Sequence, residues 1–122
     1  MNWKEIENRY PKANRLWMES DYSHWRNFVQ QSGDDVLKNR NLYDFFDEQG
    51  IRIGIDITST GFIVTFGIKW GSHAMSLIKS TKNKWRYGFS GIMYVFKTRL
   101  EAEEAAFIKA SEILEEKLNR NE

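Results

Sequence analysis

The most constraining feature of the chain is an alternation of isoleucine with polar or small residues from Ile51 to Ile57. Successive side chains of a β-strand point to opposite faces of a sheet, so a period of two places every isoleucine on one face. Phe62–Trp70 alternates in the same way, and Thr58–Gly61 supplies turn residues between the two segments. The sequence therefore predicts a β-hairpin with one apolar face.

Further strands are predicted after this hairpin, and the whole sheet region spans residues 51–97. Gly71 and Ser72 make a second turn into a weaker strand at about His73–Lys79. One or two more strands are predicted within residues 85–97. We therefore expect an antiparallel sheet of three or four strands.

The N-terminal region, residues 1–50, is predicted to be helical. Pro11 suits the first turn of a helix, because the first N–H groups of a helix have no partner within it. A second helix is predicted at about residues 21–31. A third is predicted to end at Gly50, with an aspartate as its N-terminal cap.

A long C-terminal helix is predicted over residues 98–119. Thr98 and Glu101 have the spacing of a capping box, and Leu100 begins a narrow apolar stripe that continues to Leu118. The 122 residues are thus predicted to form a single α+β domain, with N-terminal helices, an antiparallel sheet and this helix packed on the sheet.

Charge is segregated along the chain. Residues 57–100 carry seven lysines and arginines and no acidic residue, although the formal net charge of the chain is +1. Cations interleaved with aromatic rings are typical of surfaces that neutralise phosphates and stack bases. The predicted contact residues are Lys79, Lys82, Lys84, Trp85, Arg86, Tyr87, Lys97 and Arg99.

Ordinary structural roles remain open beside this interpretation. The alternate aromatic residues can pack beneath the C-terminal helix while the lysines keep the outer face of the sheet solvated. Acidic residues fall on one quadrant of that helix, where they can form a solvated face or a stripe for a basic partner. They are Glu101, Glu104, Glu112 and Glu115.

The sequence contains no catalytic or metal-binding pattern. It has no cysteine, and its histidines, His24 and His73, lack the i+3 or i+4 histidine partner of a helical metal pair. Asp56 could begin a nuclease motif, but no acidic residue follows before Glu101. We expect no enzymatic activity, cofactor or metal. The polar first ten residues predict neither a signal peptide nor a membrane span, and hence a cytoplasmic protein.

The order of helix, antiparallel strands and helix resembles the double-stranded RNA-binding domain. RLEAEEAA, which begins at Arg99, resembles the start of that domain's last helix, where basic residues clamp phosphates across a groove. Only Arg99 matches a basic position, since Leu100 replaces a second and Glu103 reverses the third. The resemblance implies a related topology and argues against that mode of RNA binding.

Three segments resemble small phage and prophage proteins of Bacteroidetes-type bacteria. They are YPKA at 10–13, NLYDFFDEQGI at 41–51 and FKTRLEAEEAAFIKASEIL at 96–114. Small single-domain proteins of mobile elements include anti-CRISPR inhibitors, to which the chain is similar in size, solubility and lack of catalytic motifs. The resemblance implies a bacterial host and a defence nuclease or its guide RNA as the partner of a monomeric protein. No motif defines anti-CRISPRs as a family, so no residue role is carried over.

The function predicted from the sequence is therefore that of a non-enzymatic phage or mobile-element effector. It would bind and inhibit a bacterial antiviral RNA-guided nuclease with a basic, aromatic sheet surface. The alternatives are an RNA- or DNA-binding regulator and a phage structural or assembly protein. The inhibitor and the regulator would use the same residues, so the sequence does not separate them.

Overall fold

The computed structural model of the protein describes residues 3–20, 35–70, 73–81, 84–87 and 93–120. In chain order, its elements are α1 (Trp3–Arg9), α2 (Pro11–Glu19), α3 (Asp35–Glu48), β1 (Ile51–Ile57), β2 (Phe62–Trp70), β3 (His73–Lys79), β4 (Trp85–Tyr87) and α4 (Arg99–Arg120). The predicted α+β class is confirmed, with N-terminal helices, a four-stranded antiparallel sheet and a long C-terminal helix. The helix predicted at about residues 21–31 lies outside the described residues.

The chain forms two compact units. We call residues 1–49 with 107–122 the helical unit and residues 50–106 the sheet unit. The packing of α4 on the sheet and the single-domain organisation stay predictions.

The sheet unit is an antiparallel meander in the order β1-β2-β3-β4. Its register places the isoleucines of β1 on the same face as Phe66 and Leu77, both of which are buried. We call this the apolar face. The opposite face, which we call the open face, carries the exposed side chains of Arg52, Lys69 and Arg86. The alternation in the sequence thus gives a sheet with one apolar face and one face that carries charged side chains.

The predicted turn between β1 and β2 is confirmed and is closed by local hydrogen bonds. The Thr58 backbone N–H donates to the Gly61 carbonyl at 2.7 Å, and the Gly61 N–H donates to the Thr58 Oγ1 at 3.0 Å. Phe62 and Phe96 exchange backbone hydrogen bonds of 2.8 and 2.7 Å beside this turn. A Cβ at Gly61 would collide with the Phe96 carbonyl oxygen, so this approach of the two segments requires glycine.

Aromatic packing forms the core of the helical unit. Phe45 lies edge-on to Trp17 and to Phe46, with ring centroids 5.2 Å apart in both pairs. Phe107 of α4 meets Tyr43 edge-on at 5.2 Å. Leu42, Phe45 and Phe46 of α3 are buried. The φ of 81° at Gly50 confirms its predicted role just beyond the end of that helix.

The predicted N-cap of α4 at Thr98 is confirmed. The Glu101 backbone N–H donates to the Thr98 Oγ1 at 3.1 Å. The predicted apolar stripe is wrong at Leu100, which is 58% exposed because it lies in the first turn, before Ala102, the first buried residue of the helix. Much of the buried face consists of alanines, which an apolar stripe of large residues does not include. They are Ala102, Ala106 and Ala110.

Candidate partner-binding surface

The pleat of the sheet separates the predicted contact residues by face. Lys79 pairs with Trp85 and Leu77 pairs with Tyr87, so Lys79, Trp85 and Tyr87 all belong to the apolar face. Arg86 lies between the two aromatic residues and therefore belongs to the open face. Lys82 lies outside the described residues. The structure thus brings three predicted residues together and places Arg86 on the other side.

On the apolar face, Lys79 lies among aromatic rings. Its Nζ is 4.6 Å from the ring centroid of Tyr94, 5.1 Å from that of Phe96 and 5.8 Å from that of Trp85. These distances lie within about 6 Å, the range of cation–π attraction. The Tyr94 N–H also donates to the Lys79 carbonyl at 2.9 Å, which holds the two segments together. We call these four residues the lysine–aromatic cluster.

Burial lowers the pKa of Lys79 below its ordinary value of 10.5. Removal of water disfavours the ammonium form, whereas the facing rings favour it. The side chain of Lys79 is half-buried, and its charge interacts with rings of the same chain. Lys79 therefore contributes to the internal structure of the sheet unit more than to its outer surface.

Four cations of the sheet unit are exposed and form no ion pair with any residue that the structure describes. They are Lys69, Lys84, Arg86 and Lys97. We call them the exposed cations. No acidic residue occurs in the sequence between Asp56 and Glu101. The exposed cations therefore give this unit positive charge that no described residue neutralises by an ion pair.

The open face carries two basic residues that were not among the predicted contacts. The register places Lys69 opposite Ala74 and Arg52 opposite Gly67, and both cations are exposed. Arg52 and Lys69 are diagonal neighbours, which in an antiparallel pair lie about 7–8 Å apart. The period of two already observed in these strands was the signal that could have identified them.

Arg99, the last predicted contact residue, is paired within its own helix. Its Nε donates to the Glu103 Oε1 at 2.9 Å, and the two side chains are 54% and 10% exposed. Glu103, which departs from the RNA-binding pattern, is thus the ion-pair partner of Arg99, the one basic residue that matches this pattern. Arg99 remains accessible, but part of its charge is balanced by Glu103.

Two of the acidic residues predicted as a stripe on α4 interact within the helical unit. The Glu115 carboxylate accepts hydrogen bonds from the backbone N–H groups of Lys12, at 3.2 Å, and Ala13, at 2.7 Å. It therefore caps α2, whose N-cap residue Tyr10 makes no side-chain cap hydrogen bond. Glu112 pairs with Lys109 at 3.2 Å. These two acids have structural partners.

No known protein family, curated protein or solved structure matches the chain. Among the described residues, no group of three or more histidine or acidic side chains could hold a metal ion. A bilayer-spanning helix, long and apolar enough for that role, is likewise not found in the described part of the chain.

Proposed function

We propose that the chain is a non-enzymatic effector of a phage or mobile element that binds and inhibits a bacterial antiviral RNA-guided nuclease in the cytoplasm of the host. The observation that carries the proposal is the set of exposed cations, Lys69, Lys84, Arg86 and Lys97, which have no ion-pair partner in the described part of the chain. Positive charge that the fold leaves uncompensated favours an anionic partner.

The RNA of such a nuclease offers an anionic surface of the required kind. Its phosphates carry one charge per nucleotide, and lysine and arginine that contact them release bound counter-ions. Arg86 lies within β4, and Lys84 directly precedes this strand. We therefore propose that β4 and its flanking cations contact the guide or target RNA held in the nuclease.

A pair of matched charge-reversal variants tests the proposal. The test variant is Lys84→Glu with Arg86→Glu, and the control is Lys4→Glu with Arg15→Glu, which changes net charge equally at exposed positions of α1 and α2. Each exposed substitution should alter the free energy of unfolding by no more than about 0.5 kcal/mol. Thermal unfolding of both variants checks that they are folded.

The measurement is affinity capture of tagged wild type and both variants from a bacterial lysate that contains an RNA-guided nuclease, followed by a DNA-cleavage assay with the captured nuclease. We expect wild type and control to retain the nuclease after RNase treatment and to suppress cleavage. The test variant should bind at least roughly tenfold more weakly. Undiminished inhibition by a folded test variant would overturn the assignment of these residues.

A direct nucleic-acid-binding regulator is the second candidate. Tyr87 favours it, because its ring is 47% exposed at the end of β4 and exposed rings can stack on bases. This function predicts binding to naked RNA or DNA whose affinity falls steeply as salt increases. Capture of diverse RNA that is lost with RNase and with salt would support this candidate and contradict the inhibitor.

A further inference from the structure

The strand β1 forms one edge of the sheet. It is seven residues long and pairs with β2 on one side, and no described residue pairs with its other side. An edge strand of this length presents a row of backbone N–H and C=O groups that can pair with another chain.

The hydrogen bonds of the hairpin show which backbone groups of β1 face outward. The Lys69 N–H donates to the Gly50 carbonyl at 2.9 Å, and the Thr58 N–H donates to the Gly61 carbonyl at 2.7 Å. Bonded positions alternate in an antiparallel pair, so the even-numbered residues of β1 face β2. The N–H and C=O groups of the four isoleucines therefore face the outer edge.

The edge strand β1 has an apolar face and lacks lysine, proline and a bulge; its charged side chains are Arg52 and Asp56. Ile57 is 78% exposed, and Ile53 and Ile55 are half-buried. Natural edge strands are commonly blocked by lysine, proline or a bulge. The segment IRIGIDI contains neither lysine nor proline, and it pairs with β2 residue for residue without a bulge.

The segment is also complementary to itself in charge. Arg52 and Asp56 lie two residues on either side of Gly54 and belong to the open face, where both are exposed. When two copies pair antiparallel about Gly54, Arg52 of each lies opposite Asp56 of the other. Every isoleucine then lies opposite an isoleucine. This register also pairs the outward backbone groups of Ile53 and Ile55, so charge, apolar face and hydrogen bonding agree.

We propose that two copies of the chain associate through their β1 strands, antiparallel and in register about Gly54, so that two sheets become one. The arrangement has two-fold symmetry, because the same strand serves both subunits. Arg52 and Asp56 would meet at non-hydrogen-bonded positions, where Cα atoms lie about 4.5 Å apart and side chains approach closely. A register shifted by two residues keeps the backbone bonds but removes the match of opposite charges. The dimer replaces the monomer predicted from sequence, and it does not depend on the proposed function.

Sedimentation of the purified full chain tests the dimer and its register together. Wild type should sediment as a dimer. Arg52→Asp and Asp56→Arg should each weaken dimerisation by at least about tenfold, because each places like charges opposite one another in both symmetric pairs. The double exchange, R52D with D56R, restores opposite charges and should return the dissociation constant to within about threefold of wild type.

Lys69→Asp is the matched control, since it makes the same charge change on the same face but in an inner strand. It should leave the dimer intact. Ile57→Lys is a variant that should fold, because the side chain is 78% exposed, and it should weaken the dimer by opposing a charge to Ile51 of the second copy. Wild type that is monomeric up to its solubility limit would overturn the proposal. Equal dimerisation in all variants, or failure of the double exchange to restore the dimer, would overturn this interface.

A disulfide provides an independent test of register, because the chain contains no cysteine. The double variant R52C with D56C should form a covalent dimer on oxidation, since facing positions of two paired strands satisfy the distance that a disulfide needs. Within one chain the two positions are about 13 Å apart along the strand and do not bridge. Neither single variant should cross-link. Cross-linking by R52C alone, or none by the double variant, would contradict the register.

Discussion

The helical and sheet units use their charged side chains differently. In the helical unit, Arg9 pairs with Glu5 at 3.1 Å, Glu115 caps α2, and the Lys117 Nζ donates to the Gln49 carbonyl at 2.9 Å. In the sheet unit, four exposed cations form no ion pair within the described part of the chain. Charged side chains such as Glu115 and Lys117 thus support the fold of the helical unit, whereas the exposed cations of the sheet unit remain available to a partner.

This difference predicts which substitutions should destabilise the fold and which should weaken the binding of a partner. A side chain that meets a partner within its unit contributes to folding, whereas a solvated cation contributes little until an anion arrives. Substitutions of the partnered side chains of the helical unit, such as Glu115, should therefore act mainly on stability. Substitutions of the exposed cations should act mainly on association.

The largest expected effect is on aromatic packing. Phe107 is 1% exposed and contacts Tyr43, so Phe107→Ala should lower the free energy of unfolding by about 3–5 kcal/mol. Tyr87→Ala in the sheet unit should cost about 1 kcal/mol, because its ring is 47% exposed. Urea unfolding monitored by circular dichroism measures both changes. Equal costs would show that Tyr87 supports the fold as much as a buried ring does.

A smaller effect is expected from the charged residues themselves. Glu115→Ala removes the acceptor of two backbone N–H groups at the start of α2 and should cost about 1–2 kcal/mol. Lys84→Ala should change the free energy of unfolding by less than about 0.5 kcal/mol, and so should Glu116→Ala, the control at an exposed position of α4. Thermal unfolding of the three variants measures these changes. A cost for Lys84→Ala as large as that for Glu115→Ala would remove the distinction.

The smallest effect concerns Lys79, the inward-facing cation of the sheet unit. Its folded-state pKa lies below the ordinary value of 10.5, so between the two values the unfolded chain binds more protons than the folded chain. The free energy of unfolding should therefore rise as pH increases through this interval. Lys79→Met should lack this rise and remain within about 1 kcal/mol of wild type at neutral pH. Urea unfolding of wild type and Lys79→Met across the alkaline range measures the difference between them, in which the opposite contribution of the raised Tyr10 pKa cancels. A free energy of unfolding that falls in wild type relative to Lys79→Met would show that attraction to the rings outweighs burial.

Local patterns were sufficient for much of the fold. The alternation in β1, the cap at Thr98 and the helix-ending Gly50 each depend on a few neighbouring residues, and all three are confirmed. Helix α1 lies within the region predicted to be helical, but its bounds were not predicted, since Ile6 is its one buried side chain among those described and no strong apolar period marks it. In the segment predicted to hold one or two strands, β4 is three residues long and Met93 and Phe96 make only isolated bridges.

The contacts of the candidate surface could be predicted only in part from residues that are neighbours in the sequence. The placement of Arg86 on the face opposite Trp85 follows from the period of two and was predictable. The rings around Lys79 were not, because Tyr94 and Phe96 return to it from beyond β4. The cap formed by Glu115 joins residues 102 and 103 positions apart, a distance that no local pattern encodes.

The order of the strands has a consequence for the sequence of events in folding. Each strand of the sheet pairs with its neighbour along the chain, so the sheet closes through short loops, whereas α2 obtains its Glu115 cap only when residues 102 and 103 positions apart meet. Short-range closure is fast and long-range closure is slow. All four strands also precede α4 in the sequence, so they are synthesised before it. We therefore expect pulse-labelled hydrogen exchange to detect protected amides in the sheet unit before the helical unit.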